Sequence, residues 1–389
     1  MISYLAEAEQ LKNALVEWRR DFHRHPELRF QEVRTAGKIA EHLNSLGFEV
    51  QTGIGKTGVV GVLSGHSDGP VLLLRFDMDA LPIQEENQVE YISQKPGVMH
   101  ACGHDAHMAI GMGVAQLVAS QKEQLQGTVK LVFQPAEEGA GGALAMIEDG
   151  VLQNPVPDYS FGLHVESQRP SGTVWIGEGP ILAAADAFWI ILKGRGGHGA
   201  LPETADDVLM AGVQIVNNVQ TILTRDIGLF DSAVISICSF QAGNAFNIIP
   251  EKAEISGTIR TYENTVKSLI HERLQQVVEH TSQAFGVSGE LKIDEIVPAT
   301  VNNPEITAVV RNLAAEIVGE NNLKMDYKAA PSDDVAEFLR ANPGCHVILG
   351  AGSAESYPHH SSRFEIDEDV LPIGVALFCN QIFHFTESY

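Results

Sequence analysis

VLLLRFDMD at residues 71–79 and VKLVFQPAEE at residues 129–138 share one layout, an apolar run that ends in paired carboxylates. Val71–Phe76 and Val129–Phe133 are short and rich in Val, Leu and Phe, which suits buried strands, and the second stops at Pro135. Between them Asp105–Ser120, rich in Ala, Met and Val, reads as a buried helix. Strand, helix and strand in this order form the unit of an α/β domain with a largely parallel sheet. Working outward, Gly58–Leu63 adds a strand, Thr35–Leu46 a helix that stops at Gly47, and Tyr4–Arg24 an amphipathic helix.

A different rhythm begins near Ala184. Asp186–Lys193, Ala233–Phe240, Ala253–Tyr262 and Glu290–Val297 read as strands, and Thr204–Thr224 and Thr265–Phe285 as helices. Their order, β-α-β-β-α-β, is the split-βαβ arrangement of a compact α+β module. After Pro298 the first texture returns, with helices at Pro304–Val318 and Asp333–Leu339 and a strand at His346–Leu349. The expected organisation is therefore an α/β domain, residues 1–183 and 298–389, interrupted by an α+β insertion at 184–297.

The chain carries 26 Lys and Arg against 50 Asp and Glu, a formal charge of −24. Phosphate backbones and anionic membrane surfaces repel such a chain, which argues against nucleic-acid and membrane partners. The N-terminal residues lack the basic start, apolar run and small-residue cleavage site of a signal peptide. No apolar stretch reaches the roughly 18–20 residues of a membrane span. Cys102, Cys238, Cys345 and Cys379 are far apart and form no CxxC pair, the pattern of reduced thiols in a cytoplasmic protein.

Residues with metal-binding or acid–base capacity collect in five groups. These are Asp77 and Asp79; His100, Cys102, His104, Asp105 and His107; Glu137 and Glu138; His164; and His359 and His360. Each has a plain structural reading: turn caps for the aspartates, a solvated helix start for the glutamates, a core residue for His164. Five such groups in one chain are hard to explain that way. Cys102-x-His104 presents a thiolate and an imidazole on one side of an extended segment, as a borderline-soft divalent metal requires. Of two adjacent acids, one can ligate while the other moves protons. Cys102 as a nucleophile with His104 as its base leaves Glu137, Glu138, His164 and His360 without a role. Gly194, Gly196 and Gly199 match GxGxxG, but Val213–Thr224 holds no acidic partner for a ribose, so the stretch reads as a turn exposing His198.

RRDFHRHPEL, RFDMDALPIQE, GVMHACGHDAHMA, FQPAEEGAGGA, GRGGHGALP, NIIPEKAEISGTIRT and HHSSRFEIDED occur in that order along nearly the whole chain. The set resembles the M20 metallopeptidase family, in particular its amidohydrolase branch of N-acyl-amino-acid, hippurate and auxin-conjugate hydrolases. The resemblance implies two divalent metal ions held by Cys102, His104, Glu138, His164 and His360, with zinc or manganese favoured and cobalt or nickel also suited. It implies Glu137 as general base and acid, and Asp79 as a carboxylate that orients the metal-binding imidazole from behind. Asp77 stands where other branches carry a metal-binding His, so its role is open. Ser361-Ser362 follow His360 where many relatives have Pro.

The insertion resembles the family's lid and dimerisation module. Within it His198 matches a residue that polarises the scissile carbonyl, and Asn247 and Arg260 match residues that clamp a substrate carboxylate. The expected activity is hydrolysis of N-acyl-amino acids by a metal-activated water, in a homodimer or higher homo-oligomer. The alternative on the same machinery is a small-peptide carboxypeptidase or dipeptidase. A non-catalytic relative would need a broken site, and no motif position is substituted.

Overall fold

The computed structural model describes residues 4–387; residues 1–3 and 388–389, at the two ends of the expected α/β domain, lie outside the described residues. The chain divides into two compact units. One comprises Met1–Ile181, Thr300–Lys328 and Asp333–Tyr389, the other Leu182–Ala299 and Ala329–Ser332. The short 329–332 segment, which the sequence assigns to the α/β domain, thus belongs to the second unit.

The first unit is built on an eight-stranded sheet. Its centre is parallel: Gln126–Gln134, Ser67–Asp77, Tyr159–Pro170 and Gly344–Gly352 lie side by side. The flanks depart from the expected direction. Gly58–Ser64 runs antiparallel to Gln126–Gln134 and pairs outward with Glu49–Ile54, while Val174–Trp175 runs antiparallel to Gly344–Gly352. Leu323–Lys324 closes that edge, parallel to Val174–Trp175.

Residues 71–74 show why a central strand reads as an unbroken hydrophobic stretch. Leu72, Leu74 and Phe76 point into one core, together with Met108, Val114, Val375 and Phe378. Leu73 points the other way, into a smaller core with Val132, Met146 and Phe338. Alternate residues thus feed opposite faces, both covered by helices. Each such side chain contributes about 1.5–3 kcal/mol on burial.

The helix His104–Ser120 is buried on nearly every side, between Lys12–Arg24, Leu371–Glu387 and the sheet. The expected helix Tyr4–Arg24 is two helices, Leu5–Gln10 and Lys12–Arg24. The break falls at Leu11, whose amide bonds to Ala8 O at 3.0 Å, the shorter i−3 spacing of a tightened last turn.

The second unit has a four-stranded antiparallel sheet in the order Ala233–Ala242, Lys252–Thr261, Ala184–Lys193 and Ser288–Val297. Numbered along the chain this is 2-3-1-4, the order that the split-βαβ reading requires. Val266, Ile270, Leu274 and Val278 recur every fourth residue on the helix Asn264–Ala284 and pack with Phe188, Ile190, Ile255 and Ile259. The other helix starts at Val208, later than Thr204, because Asp207 caps it by accepting the Met210 amide at 2.9 Å.

Candidate metal centre

The five groups singled out in the sequence meet in the first unit, largely beyond the carboxyl ends of its parallel strands. Asp77 ends one strand, and Glu137 and Glu138 follow another. His164 lies within Tyr159–Pro170, and His359 and His360 follow Gly344–Gly352. Cys102 and His104 sit at the start of the buried helix, separated by Gly103 at φ 87°. A Cβ at position 103 would stand 2.4 Å from Val165 Cγ2, so both the left-handed backbone and the packing demand glycine there.

Among the described residues five sets of potential ligand atoms lie within 4.8 Å of one another, and three of them join the expected ligands and Glu137: Cys102, His104 and His164; Cys102, Glu138 and His360; His104, Glu137 and Glu138. Cys102 belongs to two of these sets, which places its sulfur between two candidate positions. Cys102 Sγ is 3.6 Å from His164 Nε2, and His360 Nε2 is 3.0 Å from Glu138 Oε1. The neighbouring His359 is also at the centre, with Nδ1 3.5 Å from Cys102 Sγ and Nε2 3.2 Å from Glu166 Oε1. His360 has φ 65°, unusual for a residue other than glycine, and its amide is anchored on Ala101 O at 2.8 Å.

His104 shows what this donor set suits. Its Nδ1 bonds to Asp79 O at 2.8 Å, while the buried Nε2 has no hydrogen-bond partner. Burial opposes a charge on the ring, yet Asp77 and Asp79 outweigh it and hold the His104 pKa well above the ordinary value. A nitrogen without a partner in a field that favours positive charge fits a metal ion, and thiolate, imidazole and carboxylate are the donors such an ion takes.

The two glutamates are driven apart. Burial, then Asp333, Asp334 and Glu138, push the Glu137 carboxyl well above the usual range. Burial also acts on Glu138, but the His360 hydrogen bond and the nearby His104 hold it below the ordinary carboxylate value. Glu137 is thus the stronger proton acceptor of the two and Glu138 the more readily ionised, a division that suits acid–base work beside a ligand.

Asp79 is buried and faces the backbone of these acids: Oδ1 accepts the Glu137 amide at 3.0 Å and Oδ2 the Glu138 amide at 3.1 Å. Several neighbours escape a motif-based reading. Arg75 donates to Asp77 Oδ2 at 2.6 Å and to Asp334 Oδ1 at 2.9 Å. Arg29 donates to Glu138 O at 2.9 Å. Arg75 sits in the middle of an apolar run, and a cation there was the available signal, since it must be paired.

The remaining candidates belong to the second unit. His198 is exposed in the two-residue strand Gly197–His198, which pairs with Ile248–Ile249, and its Nδ1 accepts the Ala200 amide at 3.1 Å. Asn247 lies next to it, its carbonyl accepting the Gly199 amide at 2.8 Å. Arg260 lies on Lys252–Thr261 opposite Ala185, and its guanidinium turns to Thr258 Oγ1 and Ile259 O.

Residues 73–384 match the model of the peptidase family M20/M25/M40. The thermostable carboxypeptidase 2 of Saccharolobus solfataricus is 39% identical over 375 residues, covering 95% of this chain and 94% of that protein. The N-acetylcysteine deacetylase of Bacillus subtilis is 37% identical over 365 residues, covering 94% of both. Among solved structures, a dinuclear metal-binding peptidase of the M20 family from Bacillus subtilis superposes with a TM-score of 0.86 at 34% identity, covering 98% of this chain and 99% of that one. The chain belongs to the peptidase family M20/M25/M40 and is a metal-dependent hydrolase.

Proposed function

We propose that this hydrolase cleaves the amide bond of N-acyl-amino acids. The observation that carries the reading is the set of ligand atoms on Cys102, His104, Glu138, His164 and His360 gathered beside a half-buried acid, Glu137. In this reading those five residues hold two divalent ions, zinc or manganese, with cobalt or nickel as substitutes. Bound there, the ions would supply Lewis-acid activation of a water molecule and of the scissile carbonyl.

The protein's own groups do the rest. A Glu137 carboxylate oxygen takes the proton of the attacking water and passes it to the nitrogen of the departing amino acid, which leaves poorly unless protonated. Asp79 keeps Glu137 and Glu138 in place through their amides. His198 donates to the carbonyl oxygen as negative charge develops. Arg260 and Asn247 hold the carboxylate of the amino-acid portion, a local positive site on an otherwise acidic protein.

A homodimer or higher homo-oligomer formed through residues 184–297 belongs to the same proposal. Leu229 and Phe230 of that module are 91% and 97% exposed, which supports a surface that is covered in solution. Among the described residues no helix is long and apolar enough to cross a membrane. The four cysteines are unpaired, which supports a reducing, cytoplasmic setting.

The relative named as a carboxypeptidase supports a second reading, cleavage of small peptides at the same centre. Chelator-stripped protein is assayed before and after addition of zinc, manganese or cobalt, on N-acetyl, N-benzoyl and long-chain N-acyl amino acids and on free dipeptides. Metal-restored cleavage of acylated substrates alone is the expected result. Preferential cleavage of dipeptides would install the peptidase reading instead.

A further inference from the structure

The loop that carries Glu137 and Glu138 is held at both ends by buried carboxylates from remote parts of the chain. Ala136 adopts the left-handed φ of 53°, and three consecutive amides, 136 to 138, donate to acid side chains. Ala136 N bonds to Glu32 Oε1 at 3.0 Å, ahead of the two amides taken by Asp79. The other Glu32 oxygen accepts the Thr57 hydroxyl at 2.6 Å. At the far end Asp334 Oδ2 accepts the Ala143 amide at 3.0 Å, and Oδ1 accepts Gln134 Nε2 at 2.7 Å and Arg75 Nη2 at 2.9 Å. Between these anchors Gly142 N closes the loop on Ala136 O at 3.1 Å, and a Cβ at Gly142 would stand 1.7 Å from Pro135 O.

Glu32 and Asp334 are 0% and 2% exposed. Desolvating a carboxylate is costly; Arg75 offsets that cost for Asp334, whereas Glu32 is met by the neutral Ala136 amide and Thr57 hydroxyl. What the carboxylates add is stronger, charge-assisted bonds and a fixed location. Carboxylate oxygens of Glu137, Asp333 and Asp334 also lie within 4.8 Å of one another, so Glu137 sits against like charge from which a loose loop would swing away.

We propose that Glu32 and Asp334 are positioning residues of the hydrolytic reaction, locking the two ends of loop 135–142 so that Glu137 and Glu138 present their carboxylates together. The proposal rests on the reading of Glu137 as the proton carrier. It also predicts an asymmetry between the two sites. A glutamine at 32 still offers an oxygen to Ala136 N, and its NH2 can donate to the Thr57 hydroxyl. An asparagine at 334 must turn an NH2 toward a donor, because Arg75, Gln134 and Ala143 all donate to Asp334.

The test compares metal-loaded wild type with Glu32→Ala, Glu32→Gln and Asp334→Asn, reading kcat, KM, metal content and amide hydrogen exchange across residues 134–146. Glu32→Ala and Asp334→Asn should lower kcat about ten- to hundredfold, with KM within about twofold and metal content kept. Exchange should quicken within 134–146 and stay as in wild type elsewhere. Glu32→Gln should recover most of the loss. An unchanged kcat in Glu32→Ala and Asp334→Asn, or faster exchange spread over the whole chain, would overturn the proposal. A Glu137→Gln control separates the two claims: full activity there removes Glu137 as proton carrier, while the exchange pattern still judges the loop anchors.

Discussion

His107 Nδ1 lies 2.5 Å from Asp77 Oδ1, and the same ring accepts the Val165 amide on Nε2 at 2.9 Å. Both ring nitrogens are therefore engaged, and His107 ties the end of one central strand to the backbone next to His164. The other Asp77 oxygen takes Arg75. Asp77 thus anchors the surroundings of the centre through His107.

Replacing His107 with Phe removes both hydrogen bonds while keeping a ring in the space. Metal affinity should weaken about 10- to 100-fold, as for other outer partners of metal ligands. Competition with a chromophoric chelator measures it, and an unchanged affinity would detach His107 from the centre.

Glu137→Gln keeps the size of the side chain and removes its capacity to carry a proton. Turnover of an N-acyl-amino acid should fall about 10²- to 10⁴-fold with bound metal retained. Metal analysis beside steady-state kinetics checks this; loss of metal together with activity would make Glu137 a ligand.

Cys102 belongs to two of the candidate ligand sets, one with His104 and His164 and one with Glu138 and His360. A chelator should lower the melting temperature of wild type, because ions that bind only the folded chain stabilise it by about 4 kcal/mol at a thousandfold excess over Kd. Cys102→Ala should melt at nearly the same temperature with and without chelator. A chelator shift of wild-type size in that variant would contradict the shared position of the sulfur.

His23 is buried with Nδ1 2.8 Å from Asp105 and Nε2 3.1 Å from Glu85. Burial opposes its charge, but the two carboxylates outweigh that and hold its pKa at about 9, against an ordinary 6.5. A raised folded-state pKa means that the stabilisation is complete below about pH 6.5 and is lost as pH climbs through about 9. The loss is on the order of 3 kcal/mol. Urea unfolding of metal-free protein across that window should show the decline, and His23→Gln should flatten it.

His198→Ala should lower kcat by about 10²- to 10³-fold, the usual effect of losing one donor to a developing oxyanion. KM and melting temperature should stay near wild type, because the ring is exposed and accepts only the Ala200 amide. An unchanged rate would remove His198 from the mechanism.

Much of this molecule is legible in its sequence. Leu72 and Leu73 are both fully buried yet face different cores, which is why residues 71–74 read as an unbroken apolar stretch. The helix Pro304–Val318 begins where Pro follows the capping Asn303, a local signal, and its bounds are those expected. Other elements carried weaker signals. The strand Tyr159–Pro170 lies at the centre of the sheet, but its sequence mixes Gly162, His164, Glu166 and Arg169 among apolar residues. The final helix Leu371–Glu387 is buried almost all round and so lacks the amphipathic stripe that marks a surface helix.

By itself the sequence determined the chemistry available: the thiol, imidazoles and carboxylates, and the strands and turns that present them, because these follow from residue type and short-range periodicity. Only the tertiary structure decided which of them meet. It set His359 against Cys102 and His360 against Glu138, gave both nitrogens of His107 to Asp77 and Val165, and brought Glu32 and Asp334 to the loop of Glu137. Those pairs are joined across tens to hundreds of residues by sheet order and burial, and no local pattern encodes which distant donor a buried carboxylate will find.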